Sequence, residues 1–71
     1  MPIVFSSHAL NQLKRREISK KRLIQTVENP EKTIPSFRNR RLRQKTFDDM
    51  MLEVVTKTEG SKITVITAYY L

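Results

Sequence analysis

The sequence has 71 residues, with fourteen Lys and Arg against seven Asp and Glu, and a formal net charge of +7. It contains no cysteine and one histidine, which excludes disulfides, thiolate metal sites and histidine-rich metal sites. No apolar run approaches the roughly 20 residues that span a bilayer, so neither a membrane segment nor a secretory signal is expected. The length and composition predict a single cytoplasmic domain over residues 1–71, without metal or cofactor.

The first half of the chain predicts a short strand and two helices. Residues 2–5, PIVF, are apolar and β-branched, which favours a strand. Ser6 or Ser7 can cap a helix near residues 6–16, and Ser19 can cap a second helix near residues 20–28. Pro30 ends the second helix, because the residue before a proline avoids the α region. The predicted apolar positions are Ala9, Leu10 and Leu13 in the first helix, Leu23, Ile24 and Val27 in the second, and Ile18 at the corner.

The second half predicts four strands, KTIPSF, NRRLRQKTF, MMLEVVTKT and KITVITAYY. Pro35 suits an edge strand, because proline cannot donate a backbone hydrogen bond. Turn residues separate the later strands at Asp48-Asp49 and Glu59-Gly60. The predicted fold is α+β, with two N-terminal helices packed on a four-stranded antiparallel sheet. A short N-terminal strand is an optional fifth element.

Positive charge is concentrated in the first two thirds of the chain. Residues 1–47 hold twelve cations and three acids, or +9, whereas residues 48–71 hold two cations and four acids, or −2. Such asymmetry points to a polyanionic partner, with nucleic acid as the first candidate and an acidic protein as the second. A membrane surface fits less well, because neither helix combines a cationic face with large exposed aromatics.

The densest cationic segment is RNRRLRQK, residues 38–45. On a strand, Arg41, Arg43 and Lys45 would share one face at intervals of about 6.6–6.8 Å, close to the spacing of phosphates in an extended single strand. The alternative is a solvated edge strand whose cations prevent aggregation. The additional helix cations favour a nucleic-acid surface, whose predicted binding residues are Arg15, Arg38, Arg40, Arg41 and Lys45.

The sequence does not determine the register in which the strands pair. Two-residue loops at both turns would place Arg43 opposite Val54, and Val54 opposite Val65, so that the cations share a face with apolar side chains. That face would then be an open, partly apolar groove, unless a bulge near Asp48 or Gly60 shifts the pairing.

His8 is the only side chain whose ordinary pKa suits proton transfer near neutrality. It lies on a helix stripe with Gln12 and Arg16, between the predicted buried face and solvent. The structural alternative is a histidine that caps its helix or packs against the sheet. Tyr69, near the C-terminus, could belong to the core, cover an edge or stack on a base.

The segment FSSHALNQLKRREIS resembles the opening of a family of small uncharacterised bacterial domains, F-[ST]-x-H-A-x-x-R-M-x-x-R-x-I-[ST]. The segments VENP and ITVITAYY are similar to later signatures of that family. The sequence departs at Gln12, where the family usually has Arg, and at Glu17, where Gly is common. The matching residues of the opening are Phe5, Ser6, His8, Ala9, Arg16, Ile18 and Ser19.

This family in turn resembles the RelE- and BrnT-type toxins of the barnase-like ribonuclease grouping. The resemblance implies two N-terminal helices before a four-stranded antiparallel sheet, metal-independent RNA cleavage and neutralisation by an antitoxin. We therefore expect an RNA-binding, toxin-like endoribonuclease, whose partners are RNA and an acidic antitoxin. Its predicted catalytic residues are His8 for proton transfer, Arg16 and Arg43 for phosphate charge, and Tyr69 for stacking or as a second acid.

Two other functions are compatible with the sequence. One is a nucleic-acid-binding domain without catalysis, and the other is a cationic module that binds an acidic protein. A domain of this length buries only about 60% of the surface of its unfolded chain. A homodimer or a partner chain would therefore supply additional burial.

Overall fold

The computed structural model describes residues 2–71 and contains two helices and five strands. The order of the strands in the sheet is β1-β5-β4-β3-β2. In chain order the elements are β1 (Ile3–Phe5), α1 (Ser7–Arg15), α2 (Lys20–Glu28), β2 (Lys32–Pro35), β3 (Arg40–Phe47), β4 (Met50–Glu59) and β5 (Lys62–Tyr70). The α+β class and the two-helix prediction are confirmed, and no further helix follows Pro30 in this range.

The prediction of a four-stranded antiparallel sheet is wrong, because β1 is a full member of a mixed sheet. Strands β2 to β5 form an antiparallel meander, while β1 pairs in parallel with β5, with Ile3 beside Ile63. The amide of Ser6 continues this pairing by donating to the carbonyl of Val65 at 3.1 Å. Local hairpin signals predict only antiparallel neighbours, whereas a parallel pair needs a long connection, here most of the chain.

Helix α1 begins and ends with recognisable capping. The hydroxyl of Ser6 accepts a hydrogen bond from the amide of Ala9 at 3.0 Å. After the helix, Glu17 has a φ of 52° and the amide of Ile18 donates to the carbonyl of Leu13 at 2.9 Å. This is the long bond of a Schellman motif, which favours glycine at the left-handed position. The geometry therefore explains why glycine would suit position 17.

Helix α2 occupies the predicted range. Ser19 caps it by accepting from the amide of Arg22 at 3.3 Å, and the helix ends immediately before Asn29-Pro30. Leu23 and Val27 are completely buried against the sheet. Ile18 is also buried at the corner between the helices, as the sequence predicts.

Both helices cover the same face of the sheet. Helix α1 packs on β5, and α2 packs on β4 and β3. The predicted inner face of α1 needs one correction, because Leu10 is 49% exposed and Gln12 is buried beside Ala9 and Leu13. The sheet contributes the rest of the core through Leu52, Val54, Ile63, Val65 and Ala68.

A β-bulge in β5 sets the register of the core. The consecutive residues Val55 and Thr56 pair with Thr67 and Val65, so Ile66 is the extra residue. Arg43 lies opposite Val54 as predicted, but Val54 pairs with Ala68 instead of Val65. The bulge lies within the strand and not at either turn, and the carbonyl of Ile66 accepts from the hydroxyl of Ser6 at 3.2 Å. Both halves of β5 can therefore present apolar side chains to the helices.

The two helices are short, and neither is long and apolar enough to cross a membrane within residues 2–71.

Candidate nucleic-acid interface

Arg43 projects from β3 towards the helix-covered face of the sheet. Its Nε donates to the hydroxyl of Thr56 and one terminal nitrogen donates to the carbonyl of Val27, each at 3.0 Å. Burial lowers the pKa of the guanidinium, and the charge of Arg41 lowers it further. Arg43 nevertheless keeps its positive charge at neutral pH, because an arginine is not deprotonated in proteins.

Lys45 lies next on the same face, and its Nζ donates to the carbonyl of Asn29 at 3.0 Å. Arg43 and Lys45 therefore hold the C-terminal end of α2, where unpaired carbonyls and the helix dipole favour cations. Arg41, by contrast, has an exposed side chain with no hydrogen bond or salt bridge to any described residue. Of the three cations in the predicted row, Arg43 and Lys45 bind carbonyls at the end of α2, and Arg41 has no partner among the described residues.

A groove of about 300 Å³ lies beside Arg43 on this face. Its apolar walls come from Ile3 on β1, Val27 on α2 and Ile63 on β5, and Glu28 lines its rim. The strand register therefore produces a partly apolar groove, which is one of the two alternatives predicted from the sequence. Apolar walls next to a guanidinium suit a ligand with a flat apolar part and an anionic part, as in a nucleotide.

Arg16 lies at the other side of the molecule, at the end of α1. One of its terminal nitrogens donates to the carbonyl of Ala68 at 3.1 Å, where β5 extends beyond the short β1. The neighbouring Arg15 is exposed. Arg16 therefore caps an open edge of the sheet, and its charge also acts on Tyr69.

Tyr69 points to the face of the sheet that the helices leave open. Its hydroxyl donates to Glu53, and the side-chain Nε2 of Gln44 donates to the other carboxylate oxygen at 2.7 Å. The three residues stand side by side on β5, β4 and β3, and Glu53 is only 6% exposed. Glu53 and Gln44 were not among the residues predicted from the sequence, although the single acid within the apolar run MMLEVV indicates a buried carboxylate.

His8 is exposed on the first turn of α1, and its ring makes no hydrogen bond to a described residue. Ser6 is the residue that caps the helix, so His8 neither caps it nor packs in the core. Of the structural alternative for His8, the capping role is therefore excluded. His8 and Arg16 are eight residues apart on the helix, or about 12 Å along its axis.

The four predicted catalytic residues do not form one cluster. Arg43 projects from the helix-covered face and Tyr69 from the open face, because their strand neighbours Val54 and Glu53 are consecutive and alternate. Arg16 and Tyr69 lie close together at β5. His8 lies on α1, which packs on β5, whereas Arg43 lies on β3, and β4 separates these two strands. A single phosphate does not reach both Arg43 and Tyr69.

Arg38 and Arg40 belong to the hairpin between β2 and β3. Arg38 is exposed in the turn with a φ of 59°, and Arg40 is half-buried at the start of β3. With Arg41, they place three cations at one end of the sheet. Within residues 2–71, no group of three His, Cys, Asp or Glu side chains is arranged to hold a metal ion.

Alkaline titration should reveal the bond between Tyr69 and Glu53. This hydrogen bond, with burial, raises the pKa of Tyr69 to about 12. The ordinary value is about 10, so the stabilisation is complete below pH 10 and is lost as the pH rises towards 12. Denaturant unfolding across this window should show a falling stability for the wild type and a smaller fall for Tyr69→Phe. Equal losses in the two proteins would contradict the assignment.

Residues 5–70 match the family described as a domain of unknown function, DUF4258, and the chain belongs to that family. No curated protein matches the chain, and no solved structure matches it either.

Proposed function

We propose that this domain is a toxin-like protein that binds single-stranded RNA. The observation that carries the proposal is the excess of unpaired cations. The salt bridge between Arg22 and Asp48, with a nitrogen–oxygen distance of 3.3 Å, is the only one formed within residues 2–71. The other thirteen of the fourteen Lys and Arg have no acidic partner there. A surface that does not neutralise its own charge attracts a polyanion.

The groove beside Arg43 supports RNA as that polyanion. Ile3 is its most accessible apolar wall, because Val27 and Ile63 are almost fully buried. Arg43 and the neighbouring Arg41 supply positive charge for the backbone. An unstacked strand can insert a base into such a groove, whereas a duplex keeps its bases stacked. The hairpin cations Arg38 and Arg40 extend the positive surface in the direction of the turn.

RNA cleavage is the second candidate activity, and the exposed ring of His8 favours it. In the proposed reaction, His8 takes the proton of a ribose 2′-hydroxyl, whose oxygen then bonds to the adjacent phosphorus. The bond between phosphorus and the 5′-oxygen breaks, and the leaving oxygen takes a proton from solvent. Arg16, about 12 Å along the helix from His8, would contact a neighbouring phosphate of the same strand. Tyr69 has no place in this scheme, because its hydroxyl is bonded to Glu53 and is a weak acid.

An acidic antitoxin is the proposed protein partner, in accordance with the toxin-like class. The same unpaired cations would contact it, so RNA and the antitoxin would compete for one surface. A titration of the RNA complex with such a protein should release the RNA.

The affinity for RNA should fall steeply with salt. If Arg15, Arg38, Arg40 and Arg41 each contact one phosphate, a slope of about −0.7 per contact gives a log–log slope of about −2.8 on a single strand. Raising the salt fourfold should then weaken binding by about 50-fold. Fluorescence anisotropy with a labelled RNA oligonucleotide measures this slope, and a salt-independent affinity would refute the proposal.

A matched pair of variants makes the salt test specific. Arg38→Gln should reduce the slope by about 0.7, because it removes one phosphate contact. Lys21→Gln makes the same change in net charge on an exposed side chain of α2 outside the predicted binding residues and should leave the slope unchanged. Equal changes in both variants would indicate that only the net charge matters.

A further inference from the structure

The hairpin between β2 and β3 builds a second concave surface, separate from the groove beside Arg43. The chain reverses in a tight turn, in which the amide of Arg40 donates to the carbonyl of Phe37 at 3.2 Å. Arg38 and Asn39, at the centre of the turn, have φ values of 59° and 61°. The amide of Ser36 also donates to the carbonyl of Arg40 at 2.9 Å. These bonds hold the turn in one conformation and bring its polar side chains to the end of the sheet.

A cavity of about 350 Å³ lies beneath this turn. None of its lining residues is acidic, and most of them carry hydrogen-bond donors. The lining residues are Pro35, Ser36, Asn39, Arg40, Arg41 and Thr58. The composition therefore favours an anionic ligand with several acceptor oxygens.

Two of these residues have buried polar atoms without a partner. They are the Nε of Arg40 and the Oγ1 of Thr58. Strand pairing places the side chains of Arg41 and Thr58 on one face of the sheet and that of Arg40 on the other. Buried hydroxyls in native proteins are nearly always paired, so the unpaired Oγ1 of Thr58 beside Arg41 indicates a ligand with acceptor oxygens. Gln12 has the remaining unpaired buried side-chain atom of residues 2–71, and it belongs to the buried face of α1, outside this cavity.

Arg41 adds an uncompensated charge at the same place. Its side chain is exposed and forms no salt bridge within the described residues. Its charge also lowers the pKa of the neighbouring Arg43. An anion in the cavity would relieve this repulsion between two guanidinium groups. A planar guanidinium also fits the oxygens of a phosphate better than an ammonium group does.

We propose that this hairpin cavity is a phosphate-binding site. The hydroxyl of Thr58 donates to a phosphate oxygen, and the guanidinium of Arg41, on the same face of the sheet, supplies the opposing charge and further donors. The phosphate belongs to the backbone of a bound RNA strand, an assignment that rests on the proposed function. A terminal or free phosphate has the same chemistry, and the experiment distinguishes these sources.

Titration with inorganic phosphate tests the site directly. Amide chemical shifts of Ser36, Asn39 and Thr58 should move with phosphate and not with chloride at the same ionic strength. Thr58→Val should weaken phosphate binding by about tenfold, because it removes a hydrogen bond to a charged group. It should not lower the melting temperature, because the replacement has the same shape and removes an unpaired buried hydroxyl. Unmoved shifts in the wild type would overturn the site.

Two further variants separate the site from net charge. Arg41→Gln should also weaken phosphate binding by about tenfold. Lys32→Gln makes the same change in charge on an exposed side chain of β2 outside the cavity, and it should bind phosphate as the wild type does. If Thr58→Val and Arg41→Gln both retain the wild-type affinity while remaining folded, the proposal is wrong.

RNA oligonucleotides identify the source of the phosphate. Loss of affinity in Thr58→Val for an RNA with hydroxyl groups at both ends supports a backbone phosphate. Loss only for a 5′-phosphorylated RNA or a mononucleotide overturns that assignment in favour of a terminal or free phosphate. If phosphate binds and RNA does not, the proposed function fails while the site stands. If RNA binds equally to the wild type and to Thr58→Val, the cavity has no role in RNA binding.

Discussion

Replacing His8 with alanine should lower the rate of RNA cleavage by about 10²–10⁴-fold, the usual contribution of a positioned proton-transfer group. The affinity for RNA should stay within about twofold of the wild type, because phosphate contacts dominate affinity. The melting temperature should also stay unchanged, since the His8 ring is exposed and is neither a cap nor a core residue. Single-turnover cleavage of a labelled RNA, binding at equilibrium and thermal unfolding measure the three quantities on one protein.

Asn11→Ala provides the control for His8→Ala, because Asn11 is another exposed polar residue of the same helix. It should cleave RNA at the wild-type rate. A wild-type protein that binds RNA without cutting it would reject the enzyme and retain the RNA-binding domain. Cleavage by the wild type that persists unchanged in His8→Ala would assign the proton transfer to another group.

Replacing Leu23 with alanine should remove a large share of the free energy of unfolding. Leu23 is completely buried in the centre of the core, between α2 and the sheet. Removing such a side chain costs about 2–5 kcal/mol, because the site loses apolar burial and retains a cavity. A chain of this length has a total stability of about 4–11 kcal/mol, so one substitution removes a large share of it. Urea unfolding should show a lower midpoint with an unchanged slope.

Leu10→Ala is the matched control for Leu23→Ala, because it makes the same chemical change in the other helix. Leu10 is 49% exposed, and its loss should change stability by about 0.5 kcal/mol or less. Similar losses in both variants would contradict the packing of the two helices. The comparison also tests the corrected inner face of α1, where the sequence predicts Leu10 to be buried.

Local signals were sufficient to predict both helices. Ser6 and Ser19 are caps whose hydroxyls bond to nearby amides, and Pro30 stops α2 through its effect on the preceding residue. These interactions span a few residues, so they can be read directly from the chain. The pairing of Arg43 with Val54 was predictable for the same reason, because the tight turn at Asp48-Asp49 sets it.

The candidate site was less predictable than the helices. The sequence correctly identified a basic surface, but it grouped Arg43 with Tyr69 in one site. The bulge at Ile66 and the alternation along β4 place these two side chains on opposite faces of the sheet. The site at Thr58 and Arg41 was also not predictable, since the two residues lie on different strands and come to share one face only after the sheet has formed.

The sequence alone determined the net charge, its concentration in residues 1–47, the two helices and the succession of later strands. Composition and short-range capping are properties of the chain itself. Only the tertiary structure decided the parallel pairing of β1 with β5, the burial of Glu53 and which cations remain free. Each of these depends on residues that are distant in the sequence, and their contacts follow from the packing of the whole sheet against the helices.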